Sequence, residues 1–431
     1  MQIIHPDDTP SLVYANEAGE IKNFPELYMA GRGGNFFSRP LPDDLIPLPM
    51  GSELFLLPHR KPIGISPTDN GPVLFDRDPL NPFDKIQAVA AFMSPAHTAI
   101  HSAAYEPAHP DLPPLPLFAY TAVGWHKGRF WVSAFRSDPD NRQDFRSFSP
   151  EKIKRKTARQ LKKKSHNRLI QHLGKCCLTY GCPAARNYFL ERWEAPLPTS
   201  PICNARCVGC ISLQSSGCCP ATQDRINFVP RVSEIIEIAV PHLKSASKAI
   251  VSFGQGCEGE PLIQAPVLEK AIRSIRKETG RGTINLNSNS SLPDKVEQLA
   301  RAGLDSLRVS MNSARESCHS RYYRPVNFTL SNVLDSIDVM KKAGKFVSLN
   351  YFILPGFTDD PEEFSALCSL IEKHEPDLIQ LRNLNMDPDW YFETVGHDTD
   401  VPPLGIRTWL ANLKQAFPAL RFGYFNPSLM T

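Results

Sequence analysis

From residue 197 to residue 381, short apolar runs alternate with amphipathic stretches, and this alternation constrains the fold of the 431-residue chain more than any other feature. The apolar runs at 197–202, 249–253, 283–287, 306–311, 346–353 and 378–381 have strand length. The intervening stretches at 233–245, 265–279, 293–302, 330–343 and 361–373 show helical periodicity. In the third of these, Val296, Leu299 and Ala300 share one face, and Gly280, Gly303 and Gly344 stand where helices stop. Six strands alternating with helices imply a parallel sheet with right-handed crossovers. Residues 196–392 fall short of the roughly 250 residues of an eight-fold barrel. The expected fold is α/β, a partial (β/α)6 barrel. A helix near 406–415 and an apolar stretch at 420–425 make a short C-terminal extension, 393–431.

The chain ahead of the barrel is different in kind. Nineteen of its 40 prolines lie in the first 120 residues. Proline removes a ladder donor and fixes φ, so short strands and irregular loops are expected there rather than long helices. Residues 119–125 and 129–135 flank His126-Lys127-Gly128 and read as a hairpin. Residues 1–150 are therefore expected to form a Pro-rich, mainly β module. Residues 151–195 read as a basic helical linker: 151–175 carry ten Lys/Arg against Glu151, a local charge of +9 in a chain whose total is +3. That segment is either a solvated linker or an electrostatic contact for a polyanion such as RNA, or for an acidic electron donor. No aromatic side chain interleaves it to stack on bases. No run approaches 18 consecutive apolar residues, and the start lacks a basic and apolar leader, so the expectation is a cytoplasmic protein without a membrane span.

All eleven cysteines lie between Cys176 and Cys368, an odd number that fits metal or thiol chemistry better than a disulfide framework. Cys203, Cys207 and Cys210 form a C-x3-C-x2-C just after the first expected strand. Three thiolates in eight residues can wrap one soft centre, whereas a closed structural site normally takes four. An open position invites a small molecule to bind the metal.

At these residues the chain resembles the radical S-adenosylmethionine (SAM) superfamily. The resemblance implies that the three cysteines hold a [4Fe–4S] cluster whose fourth iron is chelated by SAM. One-electron cleavage of SAM then yields a radical that abstracts a substrate hydrogen. Gly254 to Leu262 (Gly-Gln-Gly-Cys-Glu-Gly-Glu-Pro-Leu) resembles the superfamily's GGE element, with Gly259 and Glu260 at the matching positions and Glu260 expected to face the SAM ammonium. Asn285 to Asn289 resembles the turn that lines the site, with Asn287 in it. Ser310 and Asn312 match polar residues that reach the ribose or carboxylate, and Ile353 the apolar residue behind the adenine. Gly209 departs from the aromatic residue many members carry before the third cysteine.

Other residues admit further roles. Cys176, Cys177 and Cys182, with His172 one turn before Cys176, are read either as ligands of a second iron–sulfur cluster or as packing residues. Cys218 and Cys219 follow the triplet closely and could add a ligand. Cys257 stands three residues before Glu260, either packed there or as a thiol able to donate a hydrogen atom. Arg382, Asn383 and Asn385, at the end of the sixth strand, are expected at the substrate. An electron donor such as flavodoxin or ferredoxin would be the partner. The alternative reading is a non-catalytic iron–sulfur protein that carries electrons or senses redox state.

Overall fold

The computed structural model describes residues 9–78, 81, 83–214 and 219–429. Seven strands, Glu194–Pro196, Ile250–Phe253, Thr283–Ser288, Ser306–Met311, Phe346–Ile353, Leu378–Asn383 and Arg421–Gly423, form one sheet in which each pairs with its successor. The pairing is parallel among the first five strands and between the last two, as helical crossovers require. Residues alternate along each strand. Ile284, Leu286, Leu307, Val309 and Met311 are fully buried apolar residues, whereas Asn285, Asn287, Ser306 and Ser310 occupy the other parity. Crossover helices such as Ala265–Glu278 bury Leu268, Ala271, Ile272 and Ile275, which share one face at 3.6 periodicity.

Two expectations need correction. The first strand is Glu194–Pro196, not 197–202. Pro196, Pro198 and Pro201 have no N–H to give a ladder, so residues 197–202 run on as an extended loop tied by the Leu197 N–H to Ser252 O, 2.8 Å. The sheet also has a seventh strand in the segment read only as an apolar tail, and helices at Glu316–Tyr323 and Pro388–Val395 were not foreseen.

The chain divides into two compact units. One comprises residues 1–139, 352–368 and 381–418; the other 140–351, 369–380 and 419–431. These boundaries differ from a division at 150 with a separate extension from 393. The first unit contains an eleven-stranded sheet built of antiparallel pairs and a three-stranded one. Val123–His126 and Arg129–Arg136 form the expected hairpin, with Lys127 and Gly128 at φ 45° and 79°. Later residues join this unit through specific bonds. Arg60 pairs with Asp387 at 3.2 Å, Arg32 with Asp389 at 2.6 Å, and Thr98 Oγ1 donates to Leu381 O at 2.6 Å.

Gly356 shows how close that packing is. At φ 90°, a Cβ there would stand 1.8 Å from Gly34 N. Gly344, at φ 64°, has nothing within 4 Å of the same position. Both Ala substitutions incur a left-handed backbone cost of about 1–2 kcal/mol, but only Gly356→Ala forces two backbones apart. Denaturant unfolding should show a loss of at least about 3 kcal/mol for Gly356→Ala and only the smaller cost for Gly344→Ala; equal losses would contradict the close approach.

Candidate cluster and cofactor site

The C-x3-C-x2-C loop has no regular secondary structure, so its shape depends on side-chain and backbone ties. The Arg206 and Val208 N–H groups donate to Tyr323 O (2.9 Å) and Tyr322 O (3.0 Å), and Val326 N–H donates to Asn204 O at 2.8 Å. The unforeseen helix Glu316–Tyr323 thus braces the loop. Cys203, Cys207 and Cys210 are each half-buried. Burial raises the thiol of Cys203 to about 11 and pushes that of Cys207 well above the ordinary thiol value, with negative neighbours adding to the rise. Cations that bind as thiolate partners must displace those protons. The three sulfurs do not gather as closely as a single-ion site requires: among the described residues, one trio alone has all ligand atoms within 4.8 Å, and it is elsewhere. A wider triplet of soft donors suits a multi-iron cluster.

Glu258 fixes the approach to this loop. Its Oε2 accepts from Thr199 N–H (2.7 Å), the Thr199 hydroxyl (3.2 Å) and Ser200 N–H (3.0 Å), while Oε1 accepts from Gln255 N–H at 2.7 Å. Burial outweighs these donors and holds the carboxyl up at about 7. The neighbouring Gly259 donates to Ser200 O at 2.6 Å, and Glu260 N–H to Ile202 O at 2.9 Å. Only glycine fits at 259, where a Cβ would lie 2.0 Å from Ile202 O.

Glu260 is buried and binds the end of the third strand. Its Oε1 accepts from Leu262 N–H (2.9 Å) and the Ser288 hydroxyl (2.6 Å), and its Oε2 accepts a single bond from Asn289 N–H, 2.9 Å. Desolvation raises this carboxyl to about 7 as well. Asn204, between the first two cysteines, exchanges bonds with Asn289 and Ser291 at 2.9 Å each. Three segments distant in sequence, the cysteine loop, the 254–262 loop and residues 288–291, are therefore stitched together.

The strand face of opposite parity to the apolar core is polar. Asn285 bonds Ser252, Ser306 and Asn287; Asn287 Nδ2 donates to Gly254 O; Asn426 bonds Gln380 and Glu194. An eight-fold barrel usually fills this space with branched apolar side chains. Ser310 is half-buried in register with Asn350, whose buried Oδ1 has no hydrogen-bond partner. Asn312 is fully buried, with its Nδ2 donating to Cys318 O at 3.1 Å. Ile353 is buried, within the other compact unit.

The remaining expected site residues have the following surroundings. Asn383 donates to His97 O (3.1 Å) and accepts from Ala99 N–H (2.9 Å), so its amide holds the N-terminal strands in place. Arg382 is half-buried and Asn385 exposed, both in that same unit. Among the described residues, Cys176, Cys177 and Cys182 do not bring all three sulfurs within 4.8 Å of one another. Cys177 faces the Thr157 hydroxyl at 3.5 Å, whereas Cys176 approaches His172 and Cys257. Cys257 is buried against that pair. Cys218 lies outside the described residues, and Cys219 is buried. Residues missed from sequence include Glu258, Asn350 and Arg225, whose Nη2 reaches Cys210 Sγ at 3.4 Å and whose Nε donates to Ser212 at 3.1 Å. Only Glu258, an acid inside a glycine-rich loop, offered a local signal.

Gly259→Ala should break the stitched loops without touching a thiol. Iron retained after anaerobic reconstitution at limiting iron should fall about tenfold, the scale seen when the hydrogen bonds that orient metal ligands are removed. Gly280→Ala, whose Cβ would meet nothing within 4 Å, should leave iron unchanged. Full iron retention in Gly259→Ala would show that this approach does not shape the site.

The sequence model described as the Radical SAM superfamily matches residues 197–368. A GTP 3′,8-cyclase of Marinobacter nauticus is 28% identical over 41% of this chain and 49% of its own length. A protein of Microcystis aeruginosa named as the dual-specificity RNA methyltransferase RlmN is 30% identical over 26% of this chain and 35% of its own. The chain thus spans half or less of the length of these relatives. The crystal structure of Streptococcus suis SuiB bound to S-adenosylmethionine aligns with 56% of this chain and 54% of that one, at 14% identity and a TM-score of 0.37. Over residues 197–368 this chain is thus similar to the radical SAM superfamily.

Proposed function

We propose that Cys203, Cys207 and Cys210 hold the [4Fe–4S] cluster and that the chain cleaves SAM reductively to abstract hydrogen from a substrate. The observation that carries this reading is the stitching of the cysteine loop to the Glu260 loop and to residues 288–291. When bound, the cluster supplies one electron and an iron with an open position for the SAM amino and carboxylate groups. The residues do the rest. Glu260 keeps hydrogen-bonding capacity at Oε2 for an ammonium, since that oxygen accepts one bond only. Ser310, Asn350 and the polar strand face give a ribose and a carboxylate their partners in place of water. Arg225 places a cationic donor against Cys210 Sγ and favours added negative charge there. A non-catalytic electron carrier has no use for an open ligand position or a polar pocket beside it.

The substrate reading is a nucleic acid docked on helix α1 (Pro150–Lys163). Four cations of the basic segment are spent internally: Lys164 pairs with Glu237, Arg168 with Glu234, Lys156 with Glu191 and Lys175 with Asp224. Lys152, Lys154, Arg155, Arg159, Lys162 and Lys163 are exposed. The RNA methyltransferase among the relatives agrees with this choice.

Dithionite and SAM added to anaerobically reconstituted protein should yield 5′-deoxyadenosine, and the Cys203/Cys207/Cys210→Ala variant should yield none. A wild-type protein that binds iron but makes no 5′-deoxyadenosine would contradict the catalytic reading. For the substrate, Lys162→Glu with Lys163→Glu should weaken RNA binding and reduce its salt slope by about two, one for each phosphate no longer neutralised. An unchanged slope, with slower reduction by flavodoxin, would assign the helix to the electron donor instead.

A further inference from the structure

We propose that His172, Cys176 and Cys257 form a mononuclear metal site of the zinc class, separate from the cluster triplet. The three ligand atoms all lie within 4.8 Å of one another. Cys176 Sγ and His172 Nε2 are 3.5 Å apart. Zinc bonds of about 2.3 Å to sulfur and about 2.0–2.1 Å to nitrogen, at the tetrahedral angle, give an N···S edge of about 3.5–3.6 Å and an S···S edge of about 3.8 Å. The observed N···S edge matches the one such a coordination shell would have.

The ligands come from well-fixed elements. His172 and Cys176 stand one turn apart on helix α2 (Arg168–Leu178), whose N-terminus is capped by Asn167 Oδ1 accepting from Ile170 N–H at 3.0 Å. A helix presents i and i+4 side chains on one face without distortion. Cys257 comes from the 254–262 loop, where its carbonyl accepts from Ile226 N–H at 2.8 Å. Both cysteines are buried, at 1% and 4% exposure, while His172 is half-buried and provides the entry side. Binding converts two thiols to thiolates and releases their protons to solvent. Two thiolates and a neutral imidazole are a borderline-soft set that suits zinc. The fourth position is left for water or an incoming ligand. Such an ion would clamp α2 to the loop that carries Gly259 and Glu260.

The test uses the full-length Cys203/Cys207/Cys210→Ala variant, purified anaerobically with zinc supplied, so that no cluster contributes. Elemental analysis should find about one zinc per chain, and cobalt exchanged into the site should show the thiolate charge-transfer and intense visible bands of a tetrahedral Cys2His set. Adding Cys176→Ser should lower zinc to about a tenth, the scale of a missing ligand. His172→Gln, at a less buried position, guards against misfolding and should also lose tetrahedral cobalt bands. Cys177→Ser, next to Cys176 but facing Thr157, should keep the zinc. A folded triple variant that binds neither zinc nor cobalt, or zinc unchanged in both Cys176→Ser and His172→Gln, would overturn the proposal. So would a Cys176–Cys257 disulfide in the anaerobically purified chain.

Discussion

The candidate cofactor site depends on one buried carboxylate. Glu258 receives four hydrogen bonds from three residues, and through them it holds the extended segment 197–202 against the 254–262 loop. Hydrogen bonds to a charged acceptor are each worth about 1.5–3 kcal/mol, yet desolvation of a buried carboxylate is of the same order. The carboxyl held up near 7 shows that burial outweighs them. What the arrangement secures is position. Proline-rich residues 197–202 cannot form a ladder, so a side chain with four acceptor sites supplies the register a strand would have given.

From that anchor the geometry follows in steps. Gly259 lets the loop touch Ile202, Glu260 reaches across to Ser288 and Asn289, and Asn204 closes the circuit from within the cysteine loop. Each tie is between segments far apart in sequence, and each leaves the sulfurs of Cys203, Cys207 and Cys210 uncommitted to one another. Polar residues then take over the sheet face that apolar side chains would otherwise fill.

Much of this was legible in the chain because local periodicity carries it. The strands Ser306–Met311 and Phe346–Ile353 and the helix Pro293–Ala302 have the bounds read from the pattern, since both of their faces obey a simple repeat. The first strand was misplaced because an apolar run rich in proline resembles a strand in hydropathy but lacks its donors. Arg421–Gly423 was missed because three residues are too few to show a period, and Glu316–Tyr323 because its buried face is Cys318, His319, Tyr322 and Tyr323 rather than aliphatic. At the candidate site, the C-x3-C-x2-C spacing of the cysteine triplet was visible in the sequence itself. Arg225 and the partnership of Cys176 with Cys257 were not, because only the tertiary fold brings them together. Asn383 looked like a substrate residue for the same reason in reverse: nothing local showed that its amide was already bonded to the 97–99 strand.

The central claim is that the loop of three cysteines leaves one iron open for SAM. Electron–nuclear double resonance on the reduced cluster, with SAM labelled at its amino nitrogen and carboxylate, measures that coordination directly. The account predicts hyperfine coupling from both labels, and its disappearance when any one of Cys203, Cys207 and Cys210 becomes Ala. A reduced wild-type cluster that shows coupling to neither label at saturating SAM would contradict it.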